Sequence, residues 1–399
     1  ITDAETTARS HAFAKFIQGI SHGYLGLYFD SAFVVDESVQ VDTITQPQLR
    51  PYPEVITAAI GMLDSAISIA NGASFSFPAD NWLFVDMSAD EFVRLANSFA
   101  ARLMVYSART PAERAAVNWT DVINRIDAGI TEDFAPIAQT DILWHDWQRL
   151  VARVRTASRP SDFGRPSYWL IGPADSTNGF VNWVATPVAN RVAFQLRTRD
   201  RRIQGATGPT SPGTYAGFNQ NNIFTASRGT YRFSWYFFRR YGTGDSWQTG
   251  PVPAMLVSEM NLLKAEGLLR GGDAQGAADL INISRVANGQ LPQVTVDGPP
   301  DGPGCVPRKL SGACGSLWDA LRYEKRIEGI GVSGVIAFFD ARGWQMLPEN
   351  TILQLPVPGA ELAVLHRPLY TYGGPGGQMS AAAPDPEQCP AGYASARCP

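Results

Sequence analysis

The sequence predicts a mainly α fold of helix pairs that brackets a loop-rich, aromatic insert with short strands. Three observations carry this reading. Apolar residues recur at helical spacing over the first 134 residues and again from 253 to 345. Between these stretches, residues 135–252 are rich in Gly, Pro, Ser, Thr and aromatic side chains and hold only one short helical pattern. Gly-Gly-Asp and Pro/Gly runs punctuate the second helical stretch where a hairpin would turn.

The first helix is predicted from Phe13, Phe16, Ile17, Ile20, Tyr24, Leu27 and Tyr28, which fall on one face. A second starts at Glu54 and places Val55, Ile56, Ala59, Ile60, Leu63 and Ile67 in register. Ser88 with Glu91 reads as a capping box that opens a third, running through Phe92, Leu95, Phe99, Leu103 and Tyr106. Thr110, Pro111 and Glu113 begin a fourth that ends near Gly129. In the insert, a short helix is expected over 142–154, and Tyr231–Phe238 alternates in the manner of a strand at a sheet edge or hairpin. Helices resume at Ala254–Arg270, turn at Gly271, Gly272 and Asp273, and continue through Ala277, Leu280, Ile281 and Val286. A further pair is expected from Ser316–Glu328 and Val335–Arg342.

Each such pair has an apolar face that it cannot bury alone, the condition that builds tetratricopeptide-like stacks. An ordinary helical bundle is the alternative reading. The expected organisation is one domain over 1–399, with N-terminal helix pairs over 1–134, the insert over 135–252, C-terminal pairs over 253–345 and an extended Gly/Pro-rich tail over 346–399.

Composition limits the function. Thirty-three basic residues against 37 acidic ones leave no basic footprint for nucleic acid. Apolar runs such as Val252–Val257 fall short of the roughly 20 residues of a membrane span. The four cysteines form two close pairs in Gly/Pro-rich sequence, Cys305 with Cys314 and Cys389 with Cys398, and local disulfides are expected there, which implies an oxidising compartment. No Cys or His spacing suits a metal, and no cofactor motif occurs. Ile1 opens on polar, helix-ready sequence, so removal of a preceding segment is expected.

Four stretches resemble one known family. Ser258–Asp273 followed by Ala277–Arg285 looks like its acidic helix, Gly-Asp turn and second helix; Leu321–Glu328 is similar to its Glu/Arg-rich helix. Phe338–Trp344 resembles its aromatic-Asp-x-Arg-x-Trp run, and Leu355–Pro358 with Glu361 and Leu362 resembles its Leu-Pro-Ile-Pro close. The family is SusD/RagB. The resemblance covers the last third most clearly and implies a SusD-like, tetratricopeptide-like helical fold. It also implies a non-enzymatic cell-surface protein of the outer membrane, or an extracellular one, that captures glycan or peptide nutrients for a SusC-like TonB-dependent transporter. The chain is short for that family, carries no early Cys for a lipid and extends past Glu361 into a tail.

Catalytic candidates are poor. His11, His22, His145 and His366 are scattered, and Glu324 with Glu328, although four apart on one helix, reads as a partner set for Arg322, Lys325, Arg326 or Arg342 rather than an acid/base pair. Asp340 and Arg342 are expected to brace the helix that carries Phe338 and Phe339. The functional lead is the insert, where Trp169, Trp183, Tyr215, Phe218, Trp235, Tyr236 and Trp247 lie among Asn and Gly. Flat rings stack on apolar sugar faces while amides bind hydroxyls, so an oligosaccharide or peptide ligand is expected. Some of these rings must fill the insert's own core; Trp183, Trp235, Tyr236 and Trp247 are the ones expected to face a ligand. Asn118 and Asn282 begin glycosylation sequons, for which chance occurrence is the better reading. A different functional class is self-assembly, a fibre or coat subunit laying its tail on another copy of itself.

Overall fold

A computed structural model describes residues 3–39, 48–79, 82–138, 165–220, 234–240, 250–332, 336–347 and 351–371. Its α-helices among the described residues are α1 Ala4–Tyr28, α2 Tyr52–Asn71, α3 Ala89–Tyr106, α4 Pro111–Ala115, α5 Trp119–Asp127, α6 Tyr168–Ile171, α7 Gly179–Ala185, α8 Val257–Arg270, α9 Ala274–Ala287, α10 Leu317–Glu328, α11 Ile336–Gly343 and α12 Gly359–Val364. Four antiparallel strand pairs accompany them: β1 Ser31–Ala32 with β2 Arg50–Pro51, β3 Ser76–Phe77 with β4 Met87–Ser88, β5 Ile137–Ala138 with β8 Gly250–Pro251, and β6 Ala216–Phe218 with β7 Tyr236–Phe238. The backbone divides into two compact units rather than the single domain expected. The first draws on the described residues of Ile1–Thr131 and Phe338–Pro384, the second on those of Glu132–Ala337.

In the first unit, α1 packs on α2 and α3 through Phe16 and Leu27 of the predicted face together with glycines that carry no hydrophobic signal. Ile17 is 41% exposed, whereas Gly19, Gly23 and Gly26 are buried. A Cβ at Gly23 would lie 2.4 Å from Leu103, and one at Gly26 would lie 2.9 Å from Ile56, so the glycines set how closely the helices approach. By length and hydropathy α2 would pass for a membrane span, which the apolar-run reading missed. Its apolar face instead buries Val55, Ile56, Ala59, Leu63 and Ala66 within the unit. The Ser88–Glu91 capping box forms and starts α3. The single helix expected from Thr110 to Gly129 is two, because the Asn118 side chain accepts from Asp121 N and starts α5 afresh.

Three buried arginines close the helix ends. The last carbonyls of a helix have no partner within it. Arg109 donates to Gly26 O at 2.8 Å and to Phe29 O at 2.7 Å. Arg342 donates to Leu27 O, Leu353 O and Tyr106 O, and Arg114 reaches Val105 O and the Asp340 carboxylate, each of the last two at 2.8 Å. Asp340 and Arg342 thus brace α11 as expected, with partners from α1, α3 and α4.

In the second unit, β5 and β8 pair Ile137 with Pro251 and Ala138 with Gly250. The α8–α9 hairpin turns at Gly272, whose φ of +90° suits glycine, and Asp273 caps α9 through Gly276 N. Leu262, Ala265, Ala277, Ile281, Leu317 and Leu321 pack these two helices with α10. Ser316 and Asp319 form a second capping box at the start of α10. The predicted pairing of α10 with the Phe338–Trp344 helix does not occur as one unit: α10 belongs to the second unit, and residues from Phe338 onward belong to the first. Cys305 and Cys314 are disulfide-bonded, with Cα atoms 5.3 Å apart. Cys389, Cys398, the 142–154 helix and the tail beyond residue 371 lie outside the described residues.

Candidate functional site

The second unit gathers its polar chemistry on α10. Glu324 and Glu328, one helical turn apart, are both buried, and the insert sends Arg202 between them. Arg202 Nη1 donates to Glu324 Oε2 at 2.6 Å and to Glu328 Oε1 at 2.9 Å, and Nη2 donates to Glu324 Oε1 at 2.9 Å. Asp200 takes Nε at 2.9 Å and Nη2 at 2.7 Å. These contacts use the five N–H donors that a guanidinium has. Tyr323 donates to Asp200, Ser284 to Glu324, and Tyr215, Asn288 and Arg240 to Glu328. Arg240 also reaches the Glu328 carbonyl, and Arg285 stands 3.8 Å from Glu324.

Three carboxylates (Asp200, Glu324, Glu328) therefore face three guanidiniums (Arg202, Arg240, Arg285), and the cluster is neutral as a whole. Burial opposes the charge on Arg202, but Asp200 and Glu324 outweigh it and hold its pKa well above the ordinary value. Burial pushes Glu324 up, against the pull of Arg202. Burial also raises Tyr215 and Tyr323, which stay protonated as donors. Every carboxylate oxygen of Glu324 and Glu328 already accepts a hydrogen bond, so neither is poised as an acid or base. The arginines that serve them come from the insert and α9, not from the neighbouring Arg322, Lys325, Arg326 or Arg342 that sequence spacing favours.

The insert packs on this cluster through an aromatic core. Trp183 is 6% exposed, wedged among Tyr168, Trp169 and Phe180 with the Arg191 guanidinium 4.6 Å from its ring. Tyr236 is 1% exposed, and its hydroxyl accepts from Leu196 N at 2.9 Å. Both rings are therefore core and offer no open face for stacking, which corrects the expectation for Trp183 and Tyr236. In β6 Ala216 and Gly217 are buried, and along 234–238 Ser234 and Tyr236 are buried while Trp235, Phe237 and Phe238 are only partly so. Arg165 holds the hairpin by donating to Asn219 O and Ser234 O. Trp235 remains half-exposed, edge-on to a half-exposed Phe218 at 6.1 Å. Trp247 lies outside the described residues. At the sequons, Asn118 is the α5 cap, and Asn282 donates to Val294 O and accepts from Val294 N, so both side chains have local structural partners.

Beside the cluster lies a cavity of about 320 Å³, floored by Glu328, Arg240, Tyr215 and Asn288 and walled by α8 and α9. Sequence reasoning named none of Asp200, Arg202 and Arg240. The available signal was charge density: Arg197, Arg199, Asp200, Arg201 and Arg202 fall within six positions of an otherwise weakly charged insert.

No protein-family model matches the sequence, and no curated protein matches it. Solved structures do match in fold. A SusD homologue from Bacteroides fragilis superimposes with a TM-score of 0.53 at 13% identity, over 91% of this chain and 80% of that one. A SusD superfamily protein from Bacteroides vulgatus gives 0.50 at 15% identity, over 86% of this chain and 68% of that one. The likeness is one of fold, and it is the SusD-like fold that the four sequence motifs imply.

Proposed function

We propose that this chain is a cell-surface capture protein without chemistry of its own, which binds a glycan or peptide outside the cell and passes it to a SusC-like TonB-dependent transporter. The SusD-like fold over most of the chain is the observation that carries this reading. The saturated carboxylates of α10 support a binding rather than a catalytic role, since Glu324 and Glu328 already serve as an anchor for the insert. Ligand contact is assigned to the open edge of the β6–β7 hairpin, where Trp235 keeps part of its ring accessible while the core rings do not.

Calorimetric titration of the full chain with a panel of neutral oligosaccharides and short peptides tests this. Binding by at least one class is expected, with a loss of tenfold or more in Trp235→Ala and an unchanged melting temperature. A folded chain that binds nothing in the panel, or a Trp235→Ala variant that binds as well as the parent, would overturn the assignment.

A further inference from the structure

The cavity between α8 and α9 contains polar groups that the fold does not use. Ser258 and Asn261, one turn apart on α8, line it and make no side-chain hydrogen bond to the described residues. Asn288 spends its Nδ2 on Glu328 Oε2 at 3.1 Å, which fixes its Oδ1 as an unpartnered acceptor. Asp133 accepts from Val257 N through Oδ1 at 2.8 Å, leaving Oδ2 open, and it has no ion-pair partner among the described residues. Leu280, Ile283 and Ala287 of α9 add aliphatic lining, and Ile283 is 53% exposed.

The arrangement selects a ligand by elimination. Two of the four open groups, Asp133 Oδ2 and Asn288 Oδ1, can only accept, so the ligand must be rich in donors. Arg240 is neutralised by Glu328, so among the described lining residues Asp133 is the charge without an ion-pair partner. The helix N-terminus beside Asp133 offsets only part of it. An anion is therefore disfavoured. Arg240 lies 3.9 Å over the Tyr215 ring and covers that face, so the aromatic platform that a sugar ring would use is closed.

We infer that this cavity is a site for a protonated primary amine on an aliphatic stem, the chemistry shared by a lysine side chain and a free alkylamine. An ammonium brings three donors and no acceptor, which suits Asp133, Ser258, Asn261 and Asn288, while its methylenes lie along Leu280, Ile283 and Ala287. The site is separate from the Trp235 surface and does not depend on the capture reading.

Titration of the full chain with Gly-Lys-Gly, with Gly-norleucine-Gly and with n-butylamine tests the assignment. Gly-Lys-Gly is expected to bind at least tenfold more tightly than the norleucine peptide, which keeps the stem and lacks the charge. Asp133→Asn preserves the acceptor that caps α8 and should weaken binding at least fivefold, as should Asn261→Leu. Binding of n-butylamine as well would identify the amine alone as sufficient; binding of the peptide only would identify a lysine held in a chain. Trp235→Ala should leave amine affinity unchanged, so failure here is distinguishable from failure of the capture assignment. Equal affinity for the norleucine peptide, no binding of either amine to the folded chain, or full affinity in both Asp133→Asn and Asn261→Leu would overturn the inference.

Discussion

Removing Arg202 strands three carboxylates in the interior of the second unit. In the parent, Asp200, Glu324 and Glu328 share its five donors within 2.6 to 3.2 Å, and all four side chains are at most 1% exposed. Arg202→Met keeps the length of the side chain and deletes the charge. Breaking a buried pair by removing one partner costs about 3 to 5 kcal/mol, because the remaining charge is left uncompensated. At about 2 to 4 °C per kcal/mol for a unit of this size, the melting temperature should fall by about 6 to 20 °C.

The pH dependence gives the reasoning a second, independent sign. Burial already raises Glu324 above an ordinary glutamate even with Arg202 beside it. Without Arg202, which pulls it down, Glu324 rises further. An acid whose folded pKa lies above its unfolded value contributes stability below the unfolded value and loses it as pH rises through the folded one. The deficit of Arg202→Met relative to the parent should therefore be largest near neutral pH and shrink toward pH 5. Thermal unfolding followed by near-ultraviolet circular dichroism across that range is the assay. A loss under about 1 kcal/mol at neutral pH, or a deficit that does not shrink on acidification, would refute the view that this cluster anchors the insert.

Two further perturbations probe the scaffold. Gly23→Ala places a methyl group 2.4 Å from Leu103 and should cost about 1 to 3 kcal/mol by chemical denaturation. Gly61→Ala, with nothing within 4 Å of the added atom, should stabilise α2 by up to about 1 kcal/mol, and equal effects at the two sites would show that approach distance is not what the α1 glycines control. Replacing Cys305 and Cys314 together by alanine reopens a loop of nine residues' separation and should lower stability by about 2 to 3 kcal/mol. An unchanged melting temperature would mean that Arg285, which donates to Pro292 O and Gly304 O, holds the loop by itself.

Helix existence was legible wherever capping chemistry and apolar spacing agreed. Ser88 with Glu91 and Asp273 after Gly272 mark their helix starts correctly because each signal is local. Phe16 and Leu27 on the packed face of α1 were legible, but its glycines were not, since a stripe of glycines has no hydrophobic signature and its meaning lies in Leu63, Leu103 and Ile56 on other helices. The break at Asn118 was missed because an Asn inside an apolar pattern reads as a polar surface position until its bond to Asp121 N is seen. Burial of Trp183 and Tyr236 follows from tertiary partners, Tyr168 and Arg191 for the first and Leu196, forty residues away, for the second, that no spacing rule pairs with them.

The motifs that most resemble the SusD/RagB pattern have turned out to be anchors. In the second unit, Glu324 and Glu328 of the Leu321–Glu328 stretch receive Arg202 from the insert. In the first, Asp340 and Arg342 of the Phe338–Trp344 stretch receive Arg114 and close the ends of α1 and α3. Each motif depends on arginines to partner carboxylates or carbonyls that cannot reach water. This explains how motif resemblance can identify the fold while staying silent about what is bound. Tyr236 and Ser234 are held in the core while Trp235 between them is only partly buried, so the strand is fixed through Arg165, Tyr168 and Tyr236. If the proposed capture site at Trp235 holds, substitutions on the outward side of β6 and β7 should move affinity with little effect on melting temperature.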